Sequence, residues 1–236
     1  LANDIDTVRY ACGLPPTIIT WENVPGVLSS KDNAFGCFLA GLAGENCELQ
    51  SAGGKWSNAG CVFGPKRTIA WRVLDAQYFG LAQRRKRVFV IASAREGFSP
   101  PAVLFEQEGL RRDSAPERYE KDGAWDSSII ENGSHWDDPR NPHPTLNQCF
   151  NTGGIGASNQ EIFSQRGAGL IPVKLNGLVV ARKMTPVEYE RLQGFPDDYT
   201  KLSDNTPNGV RYKAIGNSMA VPVMRWIGQR ILNQLI

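Results

Sequence analysis

Thr17-Ile18-Ile19-Thr20-Trp21-Glu22-Asn23-Val24-Pro25-Gly26 begins with β-branched residues and ends in a polar turn closed by proline and glycine. Such a run reads as a short buried strand, Thr17–Trp21, that delivers an acidic residue, Glu22, at its C-terminal end. Downstream, Asp32 is placed to cap a helix with Phe35, Phe38, Leu39 and Leu42 on one face, and Gly44 is placed to stop it. Ile69–Leu74 and Arg87–Ala92 read as two further strands flanking a basic cluster. Strand, helix, strand, with polar residues gathered at strand ends, predicts an open α/β sheet that binds its ligand in a crevice at those ends.

The texture changes after Ser93. Pro100-Pro101, Asp137-Asp138-Pro139-Arg140-Asn141-Pro142-His143-Pro144 and Gly153-Gly154-Ile155-Gly156 break any periodicity up to about Val180. Regularity returns at Thr185-Pro186-Val187-Glu188, a capping box with proline at the first helical position, and Gly194 is the natural stop. A last helix follows Val221-Pro222, with Met224, Ile227, Ile231 and Leu235 as its apolar stripe. Three segments result: 1–93, a loop-rich insertion 94–180, and a return to the first domain over 181–236.

Bulk properties narrow the classes. A chain of 236 residues with 41% hydrophobic and 21% charged residues can bury a core, so wholesale disorder is excluded. A net charge of +2 does not announce a nucleic-acid partner, and any basic surface must come from local clusters such as Arg84-Arg85-Lys86-Arg87. The five cysteines form no Cys-x-x-Cys pair, which fits reduced thiols in a cytoplasm. No apolar run has the length of a membrane span.

Four segments carry candidate chemistry. Glu22-Asn23-Val24 is either a solvated turn or a carboxylic acid at a ligand crevice, where partial burial favours proton donation. In Gln83-Arg84-Arg85-Lys86-Arg87 an extended chain turns Gln83, Arg85 and Arg87 to one side and Arg84 and Lys86 to the other. One file can then reach a base and a phosphate while the other faces solvent. Arg182-Lys183-Met184 and Leu192-Gln193-Gly194-Phe195-Pro196 read as mostly architectural. Ile215-Gly216-Asn217-Ser218-Met219 reads as a tight turn whose polar groups either cap a helix or face a small cofactor. His135 and His143, the two histidines, lack partner cysteines, so no metal site is expected. Gly153, Gly154 and Gly156 lack the lysine of a phosphate loop and suit close approach to another backbone, such as that of DNA.

Taken in order, Trp21-Glu22-Asn23-Val24-Pro25-Gly26, Leu74-Asp75 through Gln83-Arg84-Arg85-Lys86-Arg87, Arg182-Lys183-Met184 through Gly194-Phe195-Pro196, and Gly216-Asn217-Ser218 closely resemble the C-terminal two-thirds of the C5-cytosine DNA methyltransferases. Phage-type and restriction-modification members look nearest. The resemblance implies part of a Rossmann-like, S-adenosylmethionine-dependent methyltransferase sheet. It also places segment 94–180 where the family carries its target-recognition domain.

The resemblance further implies double-stranded DNA as partner, S-adenosylmethionine as cofactor, and a cytosine flipped out of the duplex. In that family a cysteine adds to C6 and makes C5 nucleophilic. Glu22 matches the glutamate that meets N3 and the exocyclic amine, and Asn23 its neighbour in the loop. Arg87 matches the arginine on the base carbonyl, Arg85 the one supporting the phosphate or active-site loop, and Gln83 the start of that motif. Asn217 and Ser218 match the turn lining the cofactor pocket.

One departure stands against this. The family's Pro-Cys loop and glycine-rich cofactor loop precede its Glu-Asn-Val segment, and no proline here is followed by cysteine. Cys12, in Ala11-Cys12-Gly13, does not match, so no nucleophile is carried over. The expectation is a chain that needs an N-terminal segment for activity and whose parallel sheet lacks its first strands. A nucleophile-less DNA-binding or partner subunit, and a tRNA cytosine methyltransferase of the same superfamily, are the other readings.

Overall fold

The computed structural model describes residues 1–106, 170–175 and 178–236, with backbone alone over 170–175 and 178–183. The chain divides into two compact units. One comprises Leu1–Leu74, Lys86–Asp113 and Arg225–Ile236, the other Asp75–Arg85 and Ser114–Met224.

In the first unit a four-stranded sheet runs in the order β1-β4-β3-β2, with β1 Ile18–Asn23, β2 Ala59–Phe63, β3 Thr68–Asp75 and β4 Lys86–Ser93. The expected strands are present, and β2 is an addition. Its sequence, Ala59-Gly60-Cys61-Val62-Phe63, is too small-residued to stand out, and Gly60 is there for close packing: a Cβ on it would sit 2.3 Å from the Trp71 ring. A parallel sheet was expected, yet β1 pairs β4 antiparallel and β2 pairs β3 antiparallel.

Helix α2, Ala34–Ala43, buries Phe35, Leu39 and Leu42 against the sheet and ends at Gly44, whose φ of 85° suits glycine. The expected cap shifts by one residue. Asn33, not Asp32, holds the N-cap position, while an Asp32 carboxylate oxygen accepts from the Ala34 N–H at 3.3 Å. The core joins Leu28, Phe35, Leu39, Ile69, Trp71, Val88 and Val90. Phe35, Trp56 and Trp71 meet edge to face in three mutual pairs, with centroids 5.4–5.7 Å apart. Each such pair adds about 1 kcal/mol beyond area burial. Both indoles keep their N–H satisfied, Trp56 by the Asn33 side chain and Trp71 by the Ser57 carbonyl.

Helix α1, Ala2–Ala11, escaped the sequence reading because it buries no residue and shows no apolar stripe. It is tied down by charge instead. Arg67, 3% exposed, donates to Asp6 at 2.6 Å, and Asp6 accepts from the Thr17 backbone N–H and hydroxyl at 2.7 Å each.

Of the 94–180 segment, the described residues include helix α3, Pro100–Leu104, capped by Ser99, and strand β5, Leu170–Leu175, which pairs antiparallel with β6, Leu178–Lys183, a strand that runs past residue 180. His135, His143, Cys149 and the glycines at 153, 154 and 156 lie outside the described residues.

In the second unit, helix α4, Pro186–Gln193, carries the full capping box between Thr185 and Glu188 and ends at Gly194 with φ 80°. Helix α5, Asn208–Asn217, overturns the tight turn expected at Ile215–Met219: its last turn holds Ile215, Gly216 and Asn217, and Ser218 is its C-cap. Two glycines, Gly209 and Gly216, hide it from propensity reasoning. Met184, Tyr189 and Ile215 form a small core, and the Tyr212 hydroxyl donates to the Met184 carbonyl at 2.7 Å.

The last helix, α6, spans Val221–Leu232. Ile227 is buried as expected, but Val223 takes a core position and Leu235, beyond the helix, is exposed.

Candidate active site

Antiparallel register makes the first cluster. Glu22 lies opposite Phe89 on β4, so the side chain two residues back on that face, Arg87, is its diagonal neighbour. The Arg87 Nε stands 3.0 Å from Glu22 Oε1, and both side chains are mostly shielded, at 15% and 20% exposure. β1 thus runs through Glu22 and Asn23, which the sequence had placed in the turn.

The contact is an ion pair, and besides Arg87 the buried Glu22 Oε1 has no hydrogen-bond partner among the described residues. Burial pulls the Arg87 guanidinium below its ordinary pKa, and the Glu22 carboxylate works in the opposite direction. A guanidinium stays protonated regardless. The pair therefore presents a fixed cation beside a carboxylate that retains a vacant acceptor. Asn23 turns its side-chain oxygen back onto the Val24 N–H at 2.8 Å, shaping the exit from β1.

The predicted alternation along 83–87 holds in the burial. Gln83 and Arg85 are buried at 0% and 4% exposure and Arg87 is half-buried, whereas Arg84 and Lys86 are exposed.

A second cluster assembles around Gln83 and Arg85. The Arg85 Nη2 donates to the carbonyls of Gly216 at 3.1 Å and Ser218 at 2.7 Å. These are C-terminal carbonyls of α5 and its cap, where backbone acceptors run out of partners and a cation is favoured. The Arg85 backbone N–H is held by the buried Asp75 carboxylate at 2.9 Å, and Asp75 also accepts from the Gln77 side chain at 2.6 Å. Gln83 donates from Nε2 to the Leu192 carbonyl at 2.8 Å and to Gln193 Oε1 at 3.1 Å. Gln193, wholly buried, donates in turn to the Ile215 carbonyl at 3.0 Å and to the Ser218 carbonyl and hydroxyl at 3.3 Å each.

Glu22 and Arg87 therefore meet, and Gln83, Arg85 and Ser218 meet in a separate network. Asn217 is exposed at the end of α5. Asp75 and Gln193 were missed by sequence reasoning. Gln193 stands 110 residues from Gln83, so no local pattern links them; the available signal was a polar residue wedged between Leu192 and the helix stop Gly194.

A third buried charge cluster anchors α4 to α5. Glu190, fully buried, accepts from Arg211 at 3.1 Å and from the backbone N–H of Thr200 at 2.8 Å, and Arg211 also reaches Asp198 at 2.9 Å. Burial pushes Glu190 upward, yet the Thr200 and Arg211 hydrogen bonds outweigh it and hold the carboxyl below its usual range. This cluster, with Arg191 paired to Asp197 and Phe195 stacked on Tyr199, makes the Arg191–Tyr199 stretch architectural.

Comparison with known proteins identifies a family, although one relative is named for a different activity. The family described as C-5 cytosine-specific DNA methylase matches residues 5–233. A protein of Escherichia phage P1 named DNA N-6-adenine-methyltransferase is 37% identical over 98% of this chain and 48% of its own length. The type II methyltransferase M2.BsuMI of Bacillus subtilis is 32% identical over 70% of this chain and 40% of its own length. The chain spans about half the length of the curated relatives it matches. Among solved structures, the Dnmt2 methyltransferase of S. pombe superposes with a TM-score of 0.50 at 17% identity, covering 93% of this chain and 66% of that one, a likeness of fold.

Proposed function

We propose that this chain, which belongs to the C-5 cytosine-specific DNA methylase family, contributes the base-facing part of an enzyme that methylates C5 of a cytosine flipped out of duplex DNA. The observation that carries this reading is the Glu22–Arg87 pair: a shielded cation 3.0 Å from a carboxylate whose buried oxygen has no other hydrogen-bond partner among the described residues. A pyrimidine with a ring nitrogen and amine on one edge and a carbonyl beside them suits those two groups. Glu22 holds the proton and amine at that edge, and Arg87 receives the carbonyl. To meet the ring nitrogen Glu22 must carry a proton into the complex, and passing it to that nitrogen as a thiolate adds offsets the charge that grows there.

S-adenosylmethionine is the implied cofactor, and when bound it supplies the electrophilic methyl group. Asn217, exposed at the end of α5, would present its side-chain amide to it, while the Ser218 hydroxyl, bonded to the Ile215 carbonyl and Gln193, would hold the cap that carries Asn217 in shape. Arg85 and Gln83 orient that cap rather than touching the base. Segment 94–180 is the candidate target-recognition domain between the catalytic parts 1–93 and 181–236. This reading takes the thiol from residues beyond this chain: the chain spans about half the length of its relatives, and none of its cysteines follows a proline. Duplex DNA is the substrate this reading requires.

The printed name of the phage P1 relative supports a second reading, methylation of adenine N6. That transfer goes to an exocyclic nitrogen and needs no addition to the ring. The chain covers 48% of that protein, and the family matching this half is the cytosine one, so the cytosine reading is preferred. Nucleoside mass spectrometry of duplex DNA treated with the full-length protein decides between them. The cytosine reading expects 5-methylcytosine, N6-methyladenine alone would replace it with the adenine reading, and no methylated base beside retained duplex binding would favour a nucleophile-less partner subunit.

A further inference from the structure

The second unit contains a device that the pairing of Glu22 with Arg87 does not use. Gln193 is wholly buried, and its amide employs both ends: Oε1 accepts from Gln83, while Nε2 donates to the Ile215 carbonyl and to the carbonyl and hydroxyl of Ser218. The orientation is fixed by its partners, because backbone carbonyls can only accept. Arg85 grips the same cap from another direction through the Gly216 and Ser218 carbonyls. The Ser218 carbonyl is thus held twice, by a guanidinium and by an amide. Both of those side chains belong to, or bond directly with, the Gln83–Arg85 segment. Ser218 Oγ closes the knot by donating to the Ile215 carbonyl at 2.6 Å.

We infer that Gln193 is a positioning residue, and that the Gln83–Gln193–Ser218–Arg85 network couples cofactor binding at the α5 cap to DNA binding through the basic segment that follows Gln83. The inference rests on the proposed function for its two ligands. Its physical basis is that the side chains of Gln83, Arg85 and Gln193 are buried and hydrogen-bonded to one another or to the half-buried α5 cap. A shift of the Gln83–Arg85 segment would strand amide and carbonyl groups away from water unless the α5 cap moved with it. Two surfaces joined by such a network share one set of arrangements, and a ligand that favours one arrangement favours the other ligand reciprocally.

The test is the linkage itself. S-adenosylmethionine affinity of the full-length protein is measured by calorimetry with and without a saturating short duplex, in wild type, Gln193→Glu and Arg85→Lys. Glutamate is isosteric but cannot donate to the three acceptors, and lysine keeps the charge but cannot span two carbonyls. Wild type is expected to show a coupling of about tenfold. Gln193→Glu should bring it to about one, and Arg85→Lys should lower it by a smaller factor. A purely structural role would lower the unfolding temperature and leave the coupling intact, so folded variants that keep the wild-type factor overturn the inference while the proposed function stands. If Gln193→Glu does not fold, Arg85→Lys alone decides. Wild type binding both ligands without coupling also overturns the inference, whereas wild type binding neither removes the proposed function as well.

Discussion

Arg85 and Arg87 stand on the same side of one short run of chain, and the structure puts them to opposite uses. Arg85 is 4% exposed and gives its guanidinium to two backbone carbonyls at a helix end. Arg87 is half-buried beside a carboxylate that still has an unfilled acceptor. A cation closed over carbonyls has done its work once the chain has folded. A cation facing a carboxylate with spare hydrogen-bonding capacity is arranged for something not yet there. The lesson is that a motif of alternating arginines can hold a scaffold residue and a site residue side by side, and that burial and the partner's remaining capacity tell them apart.

The sharpest way to break this contrast is Arg87→Ala. If Arg87 serves the site, turnover of the full-length protein should fall by about 100-fold or more, in line with removing one preorganised electrostatic group. The unfolding midpoint should move little, and duplex affinity should lose no more than one phosphate contact's worth of salt dependence. Unchanged methylation by a folded Arg87→Ala protein would end the role assigned to it.

Arg85→Ala should show the reverse. It uncaps the Gly216 and Ser218 carbonyls in a partly buried place, and each hydrogen bond to a charged group contributes about 1.5–3 kcal/mol. A loss of about 3 kcal/mol in urea unfolding is expected. A variant as stable as wild type would show that the two carbonyls find other partners and that the scaffold reading is mistaken.

The third prediction uses pH. Glu190 is held below the usual carboxylate range inside the Arg211–Thr200 cluster. A carboxyl with a depressed folded pKa adds stability that is present above its unfolded value, near 4.5, and is lost as pH falls through the lower folded value. Wild type should therefore lose stability below about pH 4.5 more steeply than Glu190→Gln, which should itself cost about 2 kcal/mol at neutral pH. Parallel acid unfolding curves for the two proteins would refute a buried, ionised Glu190.

What the sequence made legible follows the range of the interactions. The 83–87 alternation and the Thr185–Gly194 helix rest on neighbours within a few residues, and both are as read. The strand carrying Glu22 was legible from its β-branched residues, though its end was set two residues early because cross-strand pairing with β4 carries it through Asn23. The α5 helix was misread as a turn since its glycines mask a helix anchored by buried Arg211 and Ile215, one turn apart. Helix α1 has no buried face and is fixed by Arg67, some sixty residues away. The Gln83–Gln193 contact is longer in range still. The Glu22–Arg87 pair lay between these extremes: both residues were singled out, but their meeting depends on a register that only the antiparallel β1–β4 pairing supplies.

The smallest effect should come from the best-read element. Thr185→Ala removes the hydroxyl that accepts from the Glu188 N–H at 3.3 Å, while the Glu188 carboxylate can still accept from the residue 185 backbone N–H at 2.6 Å. Half of the capping box survives, so the cost should be about 1 kcal/mol, the middle of the range for losing a threonine cap. Thr185→Ala combined with Glu188→Ala removes both halves and should cost more than the single change, because the two bonds satisfy different backbone donors at the start of α4. Unfolding midpoints of the single and double variants measure the difference. A single variant that already costs as much as the double would mean that the hydroxyl orders the carboxylate as well as the helix end. The local reading would then be incomplete even where it is best.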